Sequence, residues 1–143
     1  EFEKSEEEVK DGMDIALCAL KGDILSYSGA NNPLWIIRKG ASVVEEIKGD
    51  KQPIGKYPDP RPFTNHEFRL NQGDTIYIFS DGFIDQFGGA KGKKFKAPNF
   101  KALLLSIQSE PMYNQRKILA QKFESWQGNL EQLDDVCVIG VRM

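Results

Sequence analysis

The segment FSDGFIDQFGG, residues 79–89, decides how this chain is read. It closes a run of β-branched and aromatic residues, Thr75-Ile76-Tyr77-Ile78-Phe79, whose composition is that of a strand. The chain then turns through Ser80-Asp81-Gly82, and a second carboxylate, Asp85, follows four residues after the first. Asp-Gly is a common exit from a strand and Asp caps helices, so turn chemistry accounts for one acid. Two acids closing a strand built for burial suggest a second reading, in which both carboxylates hold a metal ion.

Upstream of this corner the pattern is that of strands. MDIALCAL and ILSYSG, separated by Lys21-Gly22-Asp23, predict a β-hairpin, and PLWIIR and SVVEEI, separated by Lys39-Gly40-Ala41, repeat it. These runs suggest an antiparallel meander. Residues Gly49 to Pro62 hold four prolines and two glycines, a loop composition. Two further strands, Phe63 to Leu70 and Asp74 to Phe79, flank the turn Asn71-Gln72-Gly73.

Downstream the period changes to 3.6. Phe100, Leu103, Leu104 and Ile107, then Leu119, Phe123 and Trp126, mark two amphipathic helices, with Gly128 placed to end the second. VCVIGVRM is expected to be a final strand buried on both faces. Strands first, helices later and a closing strand predict an α+β domain of layered antiparallel β-sheets flanked by helices. The first 11 residues, EFEKSEEEVKD, read as an exposed charged arm, leaving residues 12–143 as the domain proper.

A length of 143 residues suits one domain with its own core, and 40% hydrophobic and 28% charged residues describe an ordinary globular chain. The net charge of -2 argues against a nucleic-acid binder. No apolar run approaches the ~20 residues needed to span a bilayer, and no hydrophobic signal segment opens the sequence, so a cytoplasmic protein without membrane contact is expected. Cys18 and Cys137 lie in apolar runs and read as buried free thiols. His66, the one histidine, reads as an exposed strand residue. Asp14 fits an outward-facing strand position, and Trp35 and Trp126 fit core or helix–sheet packing. KGKKFK, Lys91 to Lys96, follows the acidic corner; solvated surface is its simpler reading, and electrostatic attraction of a phosphorylated substrate the alternative.

A second acidic place matches the first. Asp134 and Asp135 stand immediately before VCVIGVRM, as Asp81 stands immediately after the strand TIYIFS. If these strands are antiparallel neighbours, Asp81 and Asp134 share one edge of the sheet. Carboxylates converging there raise one another's pKa unless a cation neutralises them. Oxygen ligands favour magnesium, manganese or calcium, and the acids lack the spacing of a calcium-binding EF-hand.

FSDGFID, taken with LDDVCVIGVR, resembles the two C-terminal metal motifs of the metal-dependent type 2C serine/threonine protein phosphatases, in their bacterial SpoIIE-like branch. YSGANNPLWIIR, QPIG and FRLNQGDTIYIFSDG fit that branch's layout, so the resemblance covers nearly the whole chain from Gly12 to Met143. It implies a type 2C phosphatase-like β-sandwich and hydrolysis of phosphoserine or phosphothreonine on a regulatory partner protein by a metal-bound hydroxide. In the family that partner is often an anti-sigma-factor antagonist.

Carried over residue by residue, Asp81 is a direct ligand of one catalytic ion and Asp134 a second ligand of it. Asp85 acts at a further metal site or just outside the ligand set. Gly82 leaves room for close backbone approach, and Asp135 supports its neighbour. The complete domain would hold two or more Mn2+ or Mg2+ ions, roughly 3.5–4 Å apart in two-metal sites of this kind.

This sequence departs from the family in one respect. The family's bridging ligand comes from an earlier Asp-Gly motif in a glycine-rich stretch, which is not present here, and Asp11-Gly12 takes no bridging role. The expectation is the C-terminal portion of a phosphatase domain, inactive or weak alone and carrying half of the metal site. An open sheet edge suggests homodimerisation. The rival reading is a non-catalytic pseudophosphatase module that holds a signalling partner.

Overall fold

The computed structural model describes residues 12–143, so the expected arm over residues 1–11 lies outside the described residues. The chain divides into two compact units, one made of the described residues up to Leu34 with Glu46–Leu70, the other of Trp35–Glu45 with Asn71–Met143. Among the described residues, no helix is long and apolar enough to cross a membrane.

In the first unit, β2 (Ile15–Lys21) and β3 (Ile24–Ala30) form the hairpin expected around Gly22, whose φ of 60° suits the tight turn. β7 (His66–Arg69) adds on the far side of β3, giving the order β2-β3-β7. Central β3 shows the period of two: Leu25 and Tyr27 are buried while Ser26 and Ser28 are less so. Tyr27 OH donates to the Asn32 carbonyl, and His66 stacks on Tyr27 with ring centroids 5.7 Å apart. His66 is thus a strand residue, as expected, but a half-buried one. β1 (Gly12–Met13) pairs with β6 (Ile54–Gly55), a two-residue strand within the expected loop. Asp14 lies between β1 and β2 rather than inside a strand, and accepts a hydrogen bond from Asn31 Nδ2 at 2.8 Å.

In the second unit a four-stranded sheet has the order β11-β8-β4-β5, from β11 (Val138–Arg142), β8 (Thr75–Phe79), β4 (Leu34–Ile37) and β5 (Glu45–Ile47). β8 is antiparallel to both neighbours and buried along nearly its whole length, which explains its unbroken apolar run. Helices α1 (Ala97–Ser106) and α2 (Met112–Gln127) follow the short hairpin β9 (Phe87–Gly88) and β10 (Lys93–Lys94). Gly128 ends α2 with a φ of 55°. Trp35, Tyr77, Phe79, Phe83, Phe100 and Leu104 form the centre of the core. Its buried polar groups are partnered: Tyr77 OH donates to Gln115 Oε1 at 2.6 Å and accepts from Gln108 Nε2 at 2.8 Å.

Three expectations are corrected. The first four strand runs do not make one meander, because β2 and β3 pair with β7 while β4 inserts beside β8 in another sheet. β11 is an edge strand of that sheet, not a strand buried on both faces; Ile139 is 50% exposed. Cys137, just before β11, is exposed and Cys18 only half-buried, and both are free thiols.

Candidate metal centre

The site is built on the pairing of β8 with β11. Val138 faces Phe79 in antiparallel register, so the residue leaving β8 and the residues entering β11 meet at one end of the sheet. Ser80 fastens that end. Its Oγ donates to the Asp135 carbonyl at 2.8 Å and accepts from Cys137 N–H at 3.0 Å, while its own N–H donates to the Cys137 carbonyl at 2.9 Å. The Asp134-Asp135 segment is thereby held beside Asp81 by a hydroxyl that the sequence presents as a turn residue.

Beyond Ser80 the chain makes one helical turn, with Asp85 N–H donating to the Asp81 carbonyl at 2.9 Å. Phe83 anchors this turn. It is 2% exposed and packs against Phe100, Phe95 and Phe123, at centroid separations of 4.6, 5.2 and 5.2 Å. With Phe83 turned inward, Asp81 stands on the exposed side. Gly82 is required by contact: a Cβ there would lie 2.3 Å from the Asp135 carbonyl oxygen. The glycine therefore serves the approach of the two chain segments.

Electrostatically the corner is unsatisfied. The Asp81 carboxyl is pushed above its ordinary range by partial burial, by a hydrogen bond with the Asp134 side chain, and by the charges of Asp134 and Asp85. Asp134 Oδ1 also accepts from Asp135 N–H at 2.8 Å, which fixes that carboxylate's direction. Asp85 lies 3.7 Å from Lys94 Nζ. Asp81 and Asp134 are the two acids brought close enough for their side chains to interact, and Asp85 acts on Asp81 through charge. Among the described residues, no three His, Cys, Asp or Glu side chains gather into a group able to hold an ion.

A hard divalent cation fits this donor set. Two carboxylates sharing a hydrogen bond relieve their repulsion with a proton, and a cation relieves it without one.

Likeness to solved structures defines the class of the molecule: its architecture is that of type 2C phosphatase domains. The SiaA PP2C domain of Pseudomonas aeruginosa matches with 30% identity and a TM-score of 0.76, over 85% of this chain and 47% of that one. PppA, a key regulatory component of T6SS in Pseudomonas aeruginosa, matches at 16% identity and a TM-score of 0.68, over 99% of this chain and 62% of that one. The manganese-presoaked phosphatase domain of the cell fate determinant SpoIIE from Bacillus subtilis matches at 16% identity and a TM-score of 0.57, over 96% and 59%. The chain thus spans 47% to 62% of these three relatives. No curated protein matches it. The stage II sporulation protein E (SpoIIE) family matches residues 11–143, and the chain belongs to that family.

Proposed function

We propose that the chain is the C-terminal portion, over residues 12–143, of a metal-dependent phosphatase acting on phosphoserine or phosphothreonine of a partner protein in the cytoplasm. The observation that carries this reading is the closeness of Asp81 and Asp134 at adjoining strand ends, with the Asp81 carboxyl driven up by burial and then by Asp134 and Asp85. Asp81 and Asp134 would hold one Mn2+ or Mg2+ ion, and Asp85 would take a second ion or orient the ligands of the first. Such an ion supplies Lewis acidity and neutralises phosphate charge. The chain's own contribution is rigidity. Ser80 and Phe83 fix the two carboxylates before any cation arrives, so little ordering remains when one binds.

The likeness to the SiaA PP2C domain and to PppA, a key regulatory component of T6SS, supports a regulatory role with a protein substrate, and an anti-sigma-factor antagonist is the partner proposed. The test is Mn2+-dependent hydrolysis of a phosphoserine peptide by the complete phosphatase that contains this chain. Asp81→Asn and Asp134→Asn should each abolish it while leaving the thermal unfolding midpoint in place; full turnover in both variants would overturn the reading. The rival reading is a non-catalytic module that keeps the fold to hold a signalling partner. It predicts neither Mn2+ binding nor turnover in the complete protein.

A further inference from the structure

The basic segment after the acid corner is placed more specifically than a solvated loop. β9 and β10 pair Lys93 with Gly88 and Lys94 with Phe87, across a turn carrying Gly89 at φ 70° and Gly92 at φ 58°. Strand alternation sends Lys93 and Lys94 to opposite faces. Lys94 lines a concavity of about 200 Å3 with Gly82, Asp85, Phe87, Leu133 and Asp134, and the other lysines of KGKKFK do not. Its Nζ lies 3.7 Å from Asp85 Oδ1 and 5.8 Å from the centroid of the Phe87 ring. One cation therefore stands beside the carboxylates of the acid corner.

The backbone beneath Lys94 is pinned. Trp126 Nε1 donates to the Gln86 carbonyl at 2.7 Å, Gly89 N–H donates to the Trp126 carbonyl at 2.9 Å, and Phe95 N–H donates to the Gln86 carbonyl at 3.0 Å. Gln86 is 2% exposed and donates through Nε2 to the Glu131 carbonyl at 2.9 Å. Side chains at Gly88 or Gly89 would collide with Trp126, at 1.9 and 2.6 Å from its nearest atoms. The hairpin is thus locked to the end of α2, while the lysine it carries is 48% exposed and free to change partner.

An exposed Lys–Asp pair contributes little stability, so exchanging Asp85 for a stronger anion costs little. A phosphoryl group is such an anion, doubly charged and rich in acceptors, and it binds an ammonium through short charge-assisted hydrogen bonds. We propose that Lys94 contacts substrate, its ammonium binding the phosphoryl oxygens of the phosphoprotein at the mouth of the acid corner. This inference rests on the phosphatase reading above and adds to it a residue that selects the phosphorylated form.

The experiment compares the complete phosphatase with its Lys94→Ala, Lys94→Arg and Lys91→Ala variants in Mn2+. Each is assayed on a phosphoserine peptide and on p-nitrophenyl phosphate, and inorganic phosphate binding is measured by calorimetry. Lys94→Ala should raise KM for both substrates and the phosphate Kd about tenfold, the loss of one charge-assisted contact, with kcat changed less. Lys94→Arg should restore most of the affinity, and Lys91→Ala should match the parent. Normal turnover, KM and phosphate affinity in Lys94→Ala would overturn this inference alone. A lowered unfolding midpoint with unchanged KM would overturn it too, by showing that Lys94 only braces the hairpin. A parent protein that neither hydrolyses the substrates nor binds phosphate would overturn both readings.

Discussion

Strand β8 has an acid at each end, and the two sit in opposite surroundings. Asp74, just before the strand, is 2% exposed and has its needs met: Oδ2 accepts from Arg38 Nη1 at 3.0 Å and from Asn71 N–H at 2.7 Å, and Oδ1 accepts from Lys39 N–H at 2.9 Å. Burial alone would raise its pKa, but these three hydrogen bonds and the Arg38 charge hold it below the ordinary carboxylate range. Asp81, just past the other end, has carboxylates where Asp74 has donors, and is pushed upward. Same residue type, same strand, opposite sign: the fold surrounds one acid with donors and the other with acids.

The sharpest way to break this contrast is activity. On the proposed reading, Asp81→Asn in the complete protein should lower Mn2+-dependent turnover by at least about a hundredfold, whereas Asp74→Asn should act only through stability. Comparable losses in both would erase the distinction. Stability should rank the ends the other way. Asp74→Ala strands two backbone donors and takes one of two carboxylate partners from Arg38, which keeps Glu45, and should cost about 2 kcal/mol in urea unfolding, while Asp81→Ala in EDTA should change little or stabilise slightly, since it removes repulsion. Next comes Gly82→Ala, whose Cβ meets the Asp135 carbonyl; about 2 kcal/mol is expected, with weakened Mn2+ binding in the same protein. A neutral result would mean that the two segments separate freely.

The smallest effect is in pH dependence, where the signs oppose. Because Asp74 is lowered on folding, its stabilisation is present above the unfolded carboxylate pKa and lost as acid takes the pH down through the folded value. Asp81 is raised, so its contribution is full below the unfolded pKa and lost as pH rises through the folded one. In EDTA, Asp74→Asn should flatten the acid limb of the stability profile and Asp81→Asn the limb above it. The same limb flattened by both would contradict the assigned surroundings.

Much of this end of the molecule was legible because its signals are local. An apolar run ending in Asp-Gly, and an Asp-Asp pair opening another run, become neighbours as soon as β8 and β11 pair, and the paired register realises that. The two helices followed from their period, and Gly128 from its place. What remained hidden was the choice of partner. Nothing in PLWIIR says that β4 will leave the hairpin beside it and join β8, since hairpin chemistry is local and sheet membership is not. VCVIGVRM reads as doubly buried because alternation is masked when both faces are apolar, yet Ile139 and Val141 lie on an edge strand and are exposed. Ser80 was hidden as an ordinary turn residue, although a hydroxyl directly before an Asp-Gly strand exit is a usable signal. KGKKFK was visible as a basic run, with attraction of a phosphorylated substrate as its alternative reading, but which lysine faces the acid corner was hidden because β9 and β10 are two residues each, too short for any period to show.

The seating of Trp126 on Gly88 and Gly89 also makes the protein optically informative. The sequence has two tryptophans, Trp35 at 1% exposure in the core and Trp126 half-buried against the hairpin that carries Lys94. Emission from Trp35 should remain blue until the core melts. Emission from Trp126 should respond to any loosening of the hairpin. In a Trp35→Phe background, fluorescence during a Mn2+ or phosphate titration would therefore follow the neighbourhood of the acid corner without an added label.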